Sequence, residues 1–166
     1  DTLAHALESI WNHRANAITR PLAVRSARMV LQTLPALLSH PQDQELREQM
    51  SQASLLAGLA MSQTQTALAH ALSYDLTLHE NLPHGHACAV WLPMVLDIAA
   101  AISPQVQADL AEIFNCDGSQ ASGKLSAWLQ SLGITPRDLR HSSAGLHQLQ
   151  QALGSPRGRN FVGSTA

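Results

Sequence analysis

From Gln42 to Ser62 the chain runs without a proline, amphipathic at first and then almost wholly apolar from Ala53 to Met61. A helix that is apolar around its whole circumference must be surrounded by other elements, so this stretch predicts a core helix buried on all sides. The elements available to surround it are also helical. Leu22 to Leu38 places Ala27, Val30, Leu31, Leu34 and Leu38 at burial spacing, and His40, preceding Pro41, ends that helix because a residue before proline avoids the α region. From about Asp1 to Asn12, Leu3, Leu7 and Ile10 form one stripe and Asp1, His5 and Glu8 another. Aromatic residues make up only 4% of the chain, and alanine and leucine dominate its apolar fraction, which favours helix over strand. The expectation is an all-α, multi-helix single domain over residues 1–166.

Further along, Ser62 to Thr66 is a polar break, with Thr64 placed to cap a helix carrying His70. Tyr74 to Leu82 reads as a connecting loop. Pro83 suits a first helical turn, so His84 falls near the start of a helix running to about Ala101. Later helices are expected at Pro104–Asn115, Ser122–Leu132, Pro136–His141 and Ala144–Leu153, bounded by Gly118, Gly133 and Gly154. The tail from Ser155 reads as loop.

Charged residues are 13% of the chain, sparse for a domain that stands alone, so part of the surface is expected to face another domain or subunit. The net charge of −2 comes without a dense basic patch, and nucleic acid is not expected as a partner. Cys88 and Cys116 form no CxxC pair, which fits reduced thiols and a cytoplasmic setting. No signal peptide is seen, nor an apolar stretch of spanning length free of polar residues, and no membrane association is expected. The chain opens within a helical pattern and without methionine, and reads as a fragment. It holds no strand–helix alternation and no Gly-rich phosphate turn, so no dinucleotide-binding unit is expected within these residues.

The chemistry-bearing residues are Asp1 and His5, four apart on one helix face, with His70 in the Ala-rich stretch Ala67–Leu72 and His84 in Leu82-Pro-His-Gly85. One carboxylate and three imidazoles suit a borderline divalent cation, iron(II) or zinc(II). Each histidine also has an ordinary reading as a surface or hydrogen-bonded residue, accepted here for His13, His40, His141 and His147. His79 and His86 lie close to the His84 segment and are candidates to line a cleft. His70 interrupts small apolar neighbours, where a buried imidazole needs a partner, and Gly85 permits close backbone approach beside His84. Spacing alone leaves open whether the two helical units pack so that these four residues meet.

The segments Asp1-Thr-Leu-Ala-His-Ala-Leu-Glu8, Ala57-Gly-Leu-Ala-Met-Ser62, Thr66-Ala-Leu-Ala-His-Ala-Leu72 and Asn81-Leu-Pro-His-Gly-His-Ala-Cys-Ala-Val-Trp-Leu-Pro93 resemble the C-terminal metal-binding domain of the iron-containing alcohol dehydrogenases. The likeness is strong to about Asp97 and weak beyond. It implies the helical C-terminal domain of the dehydroquinate synthase-like fold and a metal held by Asp1, His5, His70 and His84. It also implies NAD(P)H on a Rossmann-like N-terminal domain, an alcohol or aldehyde substrate, and a homodimer. The metal, iron(II) with zinc(II) as the alternative, would polarise the alkoxide or carbonyl oxygen during hydride transfer. Many members carry a further histidine four residues after the third ligand, where this chain has Tyr74; Tyr74 and His86 are the expected cleft residues.

Ala6–Asn12 together with Ser73-Tyr74 is similar to a phosphonate-associated branch, the phosphonoacetaldehyde reductases. Such a substrate needs a cation, with Arg14, Arg20, Arg157 and Arg159 as candidates. Three alternatives stand beside this reading: a non-catalytic helical interaction module, a dehydroquinate synthase-like lyase and a glycerol dehydrogenase-like zinc enzyme. The fragment alone is expected to be inactive.

Overall fold

The computed structural model describes residues 1–164. Nine α-helices account for most of the described residues, joined by short 3-10 turns at Gly118–Gln120 and Gly158–Asn160. The only extended pairing among them is an isolated antiparallel bridge between Asn12 and Phe161. The expected all-α architecture is what the chain adopts.

Helices α1 (Thr2–Ile10), α2 (Thr19–Ser39) and α3 (Gln44–Thr64) pack against one another. The α2–α3 hairpin closes on small residues: Ala23 and Ala27 of α2 and Ala53, Ala57 and Ala60 of α3 are fully buried. Ser26 Oγ donates to the Ala53 carbonyl at 2.7 Å, a backbone contact that only such small neighbours allow. α3 is therefore not buried on all sides. Its buried positions are Ala53, Ala57, Ala60 and Thr64, while Leu55 and Leu59 remain 63% and 48% exposed. Apolar composition identified the helix but not which face would be covered, because the tightest contact selects the alanines and turns the leucines outward.

Thr64 does not cap the next helix; it closes α3, donating to the Ser9 hydroxyl at 3.0 Å. α4 begins at Leu68 and continues to His79, so Tyr74 lies on a helix rather than in a loop. Asn81 takes a left-handed conformation (φ 54°) and the Leu82 amide reaches back to the Leu76 carbonyl at 3.2 Å, a helix stop made by asparagine.

The single helix expected from His84 is two: α5 (His84–Ala89) and α6 (Leu92–Ile102). Pro93 has no amide hydrogen to continue the ladder, and the Val90 carbonyl released at the break accepts the Arg137 amide at 2.9 Å. By length and composition His84–Ile102 is apolar enough to cross a membrane, although it is not free of polar residues, holding His84, His86 and Asp97. It is interrupted at Val90–Trp91 and 61% buried within the protein, which marks it as core.

α7 (Pro104–Phe114), α8 (Ala121–Ser131) and α9 (Ser143–Gly154) complete the set. No helix forms at Pro136–His141, whose donors go to tertiary partners. Arg137 clasps Glu80 through two bonds of 2.7 and 2.6 Å, the Leu139 amide meets Met94 Sδ, and Arg140 bridges Asp138 and Asp97. The tail is more than loop. Phe161 is fully buried and the Val162 amide donates to the Trp11 carbonyl at 3.1 Å, strapping the end of α1.

Candidate metal centre

α1, α4 and α5 bring Asp1, His5, His70 and His84 to one place. Asp1 Oδ1 stands 3.3 Å from His5 Nε2, 3.3 Å from His70 Nε2 and 3.7 Å from His84 Nε2. Donors about 2.0–2.1 Å from a tetrahedral ion are roughly 3.3–3.4 Å apart, so these separations are close to those of a ligand shell. The His5 and His70 rings stack with centroids 5.0 Å apart, and His84 meets His70 edge-on at 5.2 Å.

Glu8, fully buried one helical turn from His5, sets the geometry from behind. α4 lacks a capping side chain of its own. The Glu8 carboxylate supplies one, accepting from the amides of Ala67 at 2.8 Å, Ala69 at 2.6 Å and His70 at 3.2 Å. It also takes the His70 Nδ1 hydrogen at 2.6 Å. That bond directs Nε2 toward Asp1, the arrangement by which a carboxylate orients a metal-binding imidazole. His70 is 2% exposed and its Nε2 has no hydrogen-bond partner. A buried polar atom left without a partner among other donors fits a cation better than it fits packing.

The electrostatics follow from this crowding. Burial lowers His5 to about 4, helped by the neighbouring His70. Burial opposes the charged form of His70 too, yet Cys88 and Glu8 beside it prevail and raise it to about 9. His84 is lowered, by burial first and then by His70, with Arg157 contributing. A proton on His70 Nε2 and a divalent cation would compete for one lone pair.

Gly85 sits where α5 meets Asp1: a Cβ there would stand 2.8 Å from the Asp1 backbone nitrogen. Cys88, one turn after His84, joins the cluster. Its Sγ lies 3.9 Å from His84 Nε2, and donor atoms of Asp1, His70, His84 and Cys88 all fall within 4.8 Å of one another. Sequence reasoning missed Glu8 and Cys88 as parts of the centre. The His84-x3-Cys88 spacing repeats that of Asp1-x3-His5 and was the available signal; for Glu8 it was its place on the same stripe as Asp1 and His5.

The expected cleft residues part company. His86 is exposed and lines an apolar cavity of about 300 Å³ with Asp1, Leu3, Gly85, Leu92 and Trp128. Tyr74 lies one turn beyond His70 on α4, 44% exposed, with the Arg157 guanidinium 5.4 Å above its ring. Arg157 also donates to Thr66 Oγ1 at 2.6 Å, and the two line a cavity with Met61, Ser62 and Gln65. The other arginines are elsewhere: Arg20 pairs with Asp109, Arg14 is an exposed residue of the α1–α2 loop, and Arg159 borders a cavity with Gln150 and Ser164. His79 borders a separate cleft with Glu80 and Arg137. A concavity of about 1030 Å³, lined mainly by α2 and α7, contains none of the donors.

Residues 1–152 match the family model for the C-terminal domain of Fe-containing alcohol dehydrogenases. A 1,3-propanediol dehydrogenase from Citrobacter freundii is 30% identical over 96% of this chain and 46% of its own length. A 1-propanol dehydrogenase from Salmonella typhimurium is 38% identical over 61% of this chain and 28% of its own. Among solved structures, the sulfoacetaldehyde reductase of Bifidobacterium kashiwanohense in complex with NAD+ superposes with a TM-score of 0.83 at 27% identity, covering 97% of this chain and 44% of that one. The chain thus spans less than half the length of each of these relatives. With a family model matched over nearly its whole length and the same helical fold in its neighbours, the chain belongs to the iron-containing alcohol dehydrogenase family and carries its C-terminal domain.

Proposed function

We propose that the protein to which this domain belongs interconverts an alcohol and an aldehyde with NAD(P)H, and that Asp1, His5, His70 and His84 hold its divalent metal, iron(II) or zinc(II). The observation that carries the reading is the approach of three imidazole nitrogens to one Asp1 oxygen, at 3.3, 3.3 and 3.7 Å, with the buried His70 Nε2 otherwise unpartnered. A bound metal would supply Lewis-acid polarisation of the substrate oxygen while hydride moves to or from the nicotinamide.

The residues of the chain do the rest. Glu8 fixes the His70 tautomer, and Gly85 lets α5 close on Asp1. The buried faces of α1 and α4 keep water from the His70 side, while His84 leaves the centre open, its side chain 48% exposed. Tyr74, in the position where relatives of this family carry histidine, offers a phenol to the substrate oxygen. His86 lines the apolar cavity beside Asp1 and is the residue on that side. The nicotinamide is assigned to a Rossmann-like domain preceding Asp1, the protein to a homodimer, and its setting to the cytoplasm, in keeping with two free thiols. The family match weighs against the interaction-module and lyase alternatives, and His5 Nε2, 3.3 Å from Asp1 Oδ1, against the glycerol dehydrogenase-like one.

Within this reading the substrate is a small aldehyde with a terminal oxyanion, phosphonoacetaldehyde by the likeness to the phosphonate branch. Arg157 supports it. Among the described residues it has no carboxylate partner, and it stands between Tyr74 and Thr66 with its charge felt at His84. A sulfoacetaldehyde reductase among the structural relatives shares that substrate chemistry in its name.

The test is reduction of phosphonoacetaldehyde, sulfoacetaldehyde and propanal by the protein with its nucleotide-binding domain present, after metal removal and after reloading with iron(II) or zinc(II). Activity that disappears with the metal and returns with it supports the reading. Activity indifferent to chelation overturns it.

A further inference from the structure

His84 and Cys88 stand one turn apart on α5, and both face the pocket that Asp1 and His70 enclose. The sulfur is fully buried and 3.9 Å from His84 Nε2. In a tetrahedral zinc site, with bonds of about 2.3 Å to sulfur and 2.0–2.1 Å to nitrogen, those two donors would be about 3.6 Å apart. The gap is a few tenths of an ångström, within the reach of a side-chain adjustment. A second observation points the same way: His70 Nε2, on a side chain 2% exposed, makes no hydrogen bond, approaches Asp1 Oδ1 at 3.3 Å and lies within 4.8 Å of the sulfur. Cys116, by contrast, does not join the donor cluster.

We propose that Cys88 is a further ligand of the metal centre, replacing His5 when the ion is a thiophilic one such as zinc(II). The pocket then has two donor quartets that share Asp1, His70 and His84. With His5 the set is three nitrogens and one oxygen, suited to iron(II). With Cys88 it is two nitrogens, one oxygen and one sulfur, which favours zinc because soft thiolate ligands select for it. Binding through sulfur breaks the S–H bond and releases that proton to solvent, in addition to the one that His70 Nε2 gives up to the ion. His5, on α1 and partly exposed, can withdraw from the ion without opening the buried core; Cys88 cannot leave its place. The inference rests on the metal-centre reading above and adds to it how one pocket can hold either ion.

Cobalt(II) reports thiolate ligation by charge-transfer absorption in the near ultraviolet. It is titrated into the protein with its nucleotide-binding domain present, wild type beside Cys88→Ala, Cys88→Ser and His5→Ala, with zinc(II) and anaerobic iron(II) affinities measured in parallel. The expected result is a charge-transfer band in the wild type that both Cys88 variants lose. Zinc affinity falls by about tenfold or more in Cys88→Ala while iron(II) affinity holds, and His5→Ala does the reverse. The wild-type spectrum depends on no variant folding. Iron(II) binding without a cobalt–thiolate band overturns the inference and leaves the metal centre standing. Failure to bind any of the three ions overturns both.

Discussion

Glu8 Oε2 lies 2.6 Å from His70 Nδ1, and the same carboxylate collects the amide hydrogens of Ala67, Ala69 and His70. One buried group therefore starts α4 and orients the imidazole that α4 carries. The positive end of the helix and the imidazole together stabilise a charge that has no access to water. Fold and centre are coupled at this point.

Glu8→Gln keeps the shape but halves the acceptors, leaving buried amides unpaired. We expect metal affinity to fall about 10–100-fold through loss of the carboxylate behind His70. Glu8→Ala is expected to cost about 3–5 kcal/mol, the scale for breaking a buried ion pair. Urea unfolding and metal titration of both variants check this. A folded Glu8→Gln protein with wild-type affinity would remove Glu8 from the centre.

Gly85→Ala tests the approach of α5 to Asp1. Alanine is the better helix former by roughly 0.5–1 kcal/mol, so α5 itself gains. Its Cβ would nevertheless press on the Asp1 nitrogen from 2.8 Å and move the carboxylate that all three imidazoles approach. The expected outcome is an unfolding midpoint close to wild type with at least about tenfold weaker metal binding. Unchanged affinity would show that α5 can shift without disturbing the donors.

The all-α class was legible because alanine and leucine periodicity is a local property, and the four proposed ligands were singled out by local motifs that could not say whether they meet. Distant partners decided the rest. Thr64 looked like an N-cap by its place before the helix, but Glu8, 59 residues from Ala67, does the capping. Pro136–His141 had helical spacing, yet its backbone and arginines found Val90, Glu80 and Asp97. Cys88 read only as a reduced thiol; the short α5, set against α1 and α4, places its sulfur beside His84. None of these contacts leaves a periodic trace.

The division of α3 into a tight face and an open one makes a paired prediction. Ala57 is fully buried in the α2–α3 contact, so Ala57→Leu overpacks it and costs about 1–3 kcal/mol. Leu55→Ala, at a position 63% exposed, should change stability of the isolated chain by less than about 0.5 kcal/mol. Denaturant unfolding of the two variants side by side reads both. Equal losses would mean that α3 is covered all round.

Part of the acid sensitivity should lie at Asp138, paired with Arg140. The Arg140 hydrogen bond holds Asp138 below the ordinary carboxylate range, with slight burial opposing. A carboxyl lowered on folding contributes stability that is present above its unfolded pKa and lost as pH falls through its folded one, here below about pH 4. Asp138→Asn should therefore flatten the fall in stability between about pH 5 and pH 2. Asp97, 3.1 Å from the same guanidinium, keeps part of the effect. An unchanged acid limb would mean that the pair is fully screened.

Arg157 is where substrate preference can be read. It stacks over Tyr74 at 5.4 Å and donates to Thr66, so its planar head is held on the Tyr74 ring even though the residue is exposed. A phosphonate or sulfonate reaching it would gain a charge-assisted hydrogen bond, about 1.5–3 kcal/mol, which corresponds to roughly 10–100-fold in kcat/KM. Arg157→Ala should lose that factor with phosphonoacetaldehyde or sulfoacetaldehyde while propanal changes little. Arg157→Lys should recover only part of it, since an ammonium keeps the charge but neither the fork nor the flat face that lies on the tyrosine. Equal losses on charged and neutral aldehydes would mean that Arg157 supports Tyr74 and Thr66 structurally, and the substrate would then be a neutral alcohol or aldehyde.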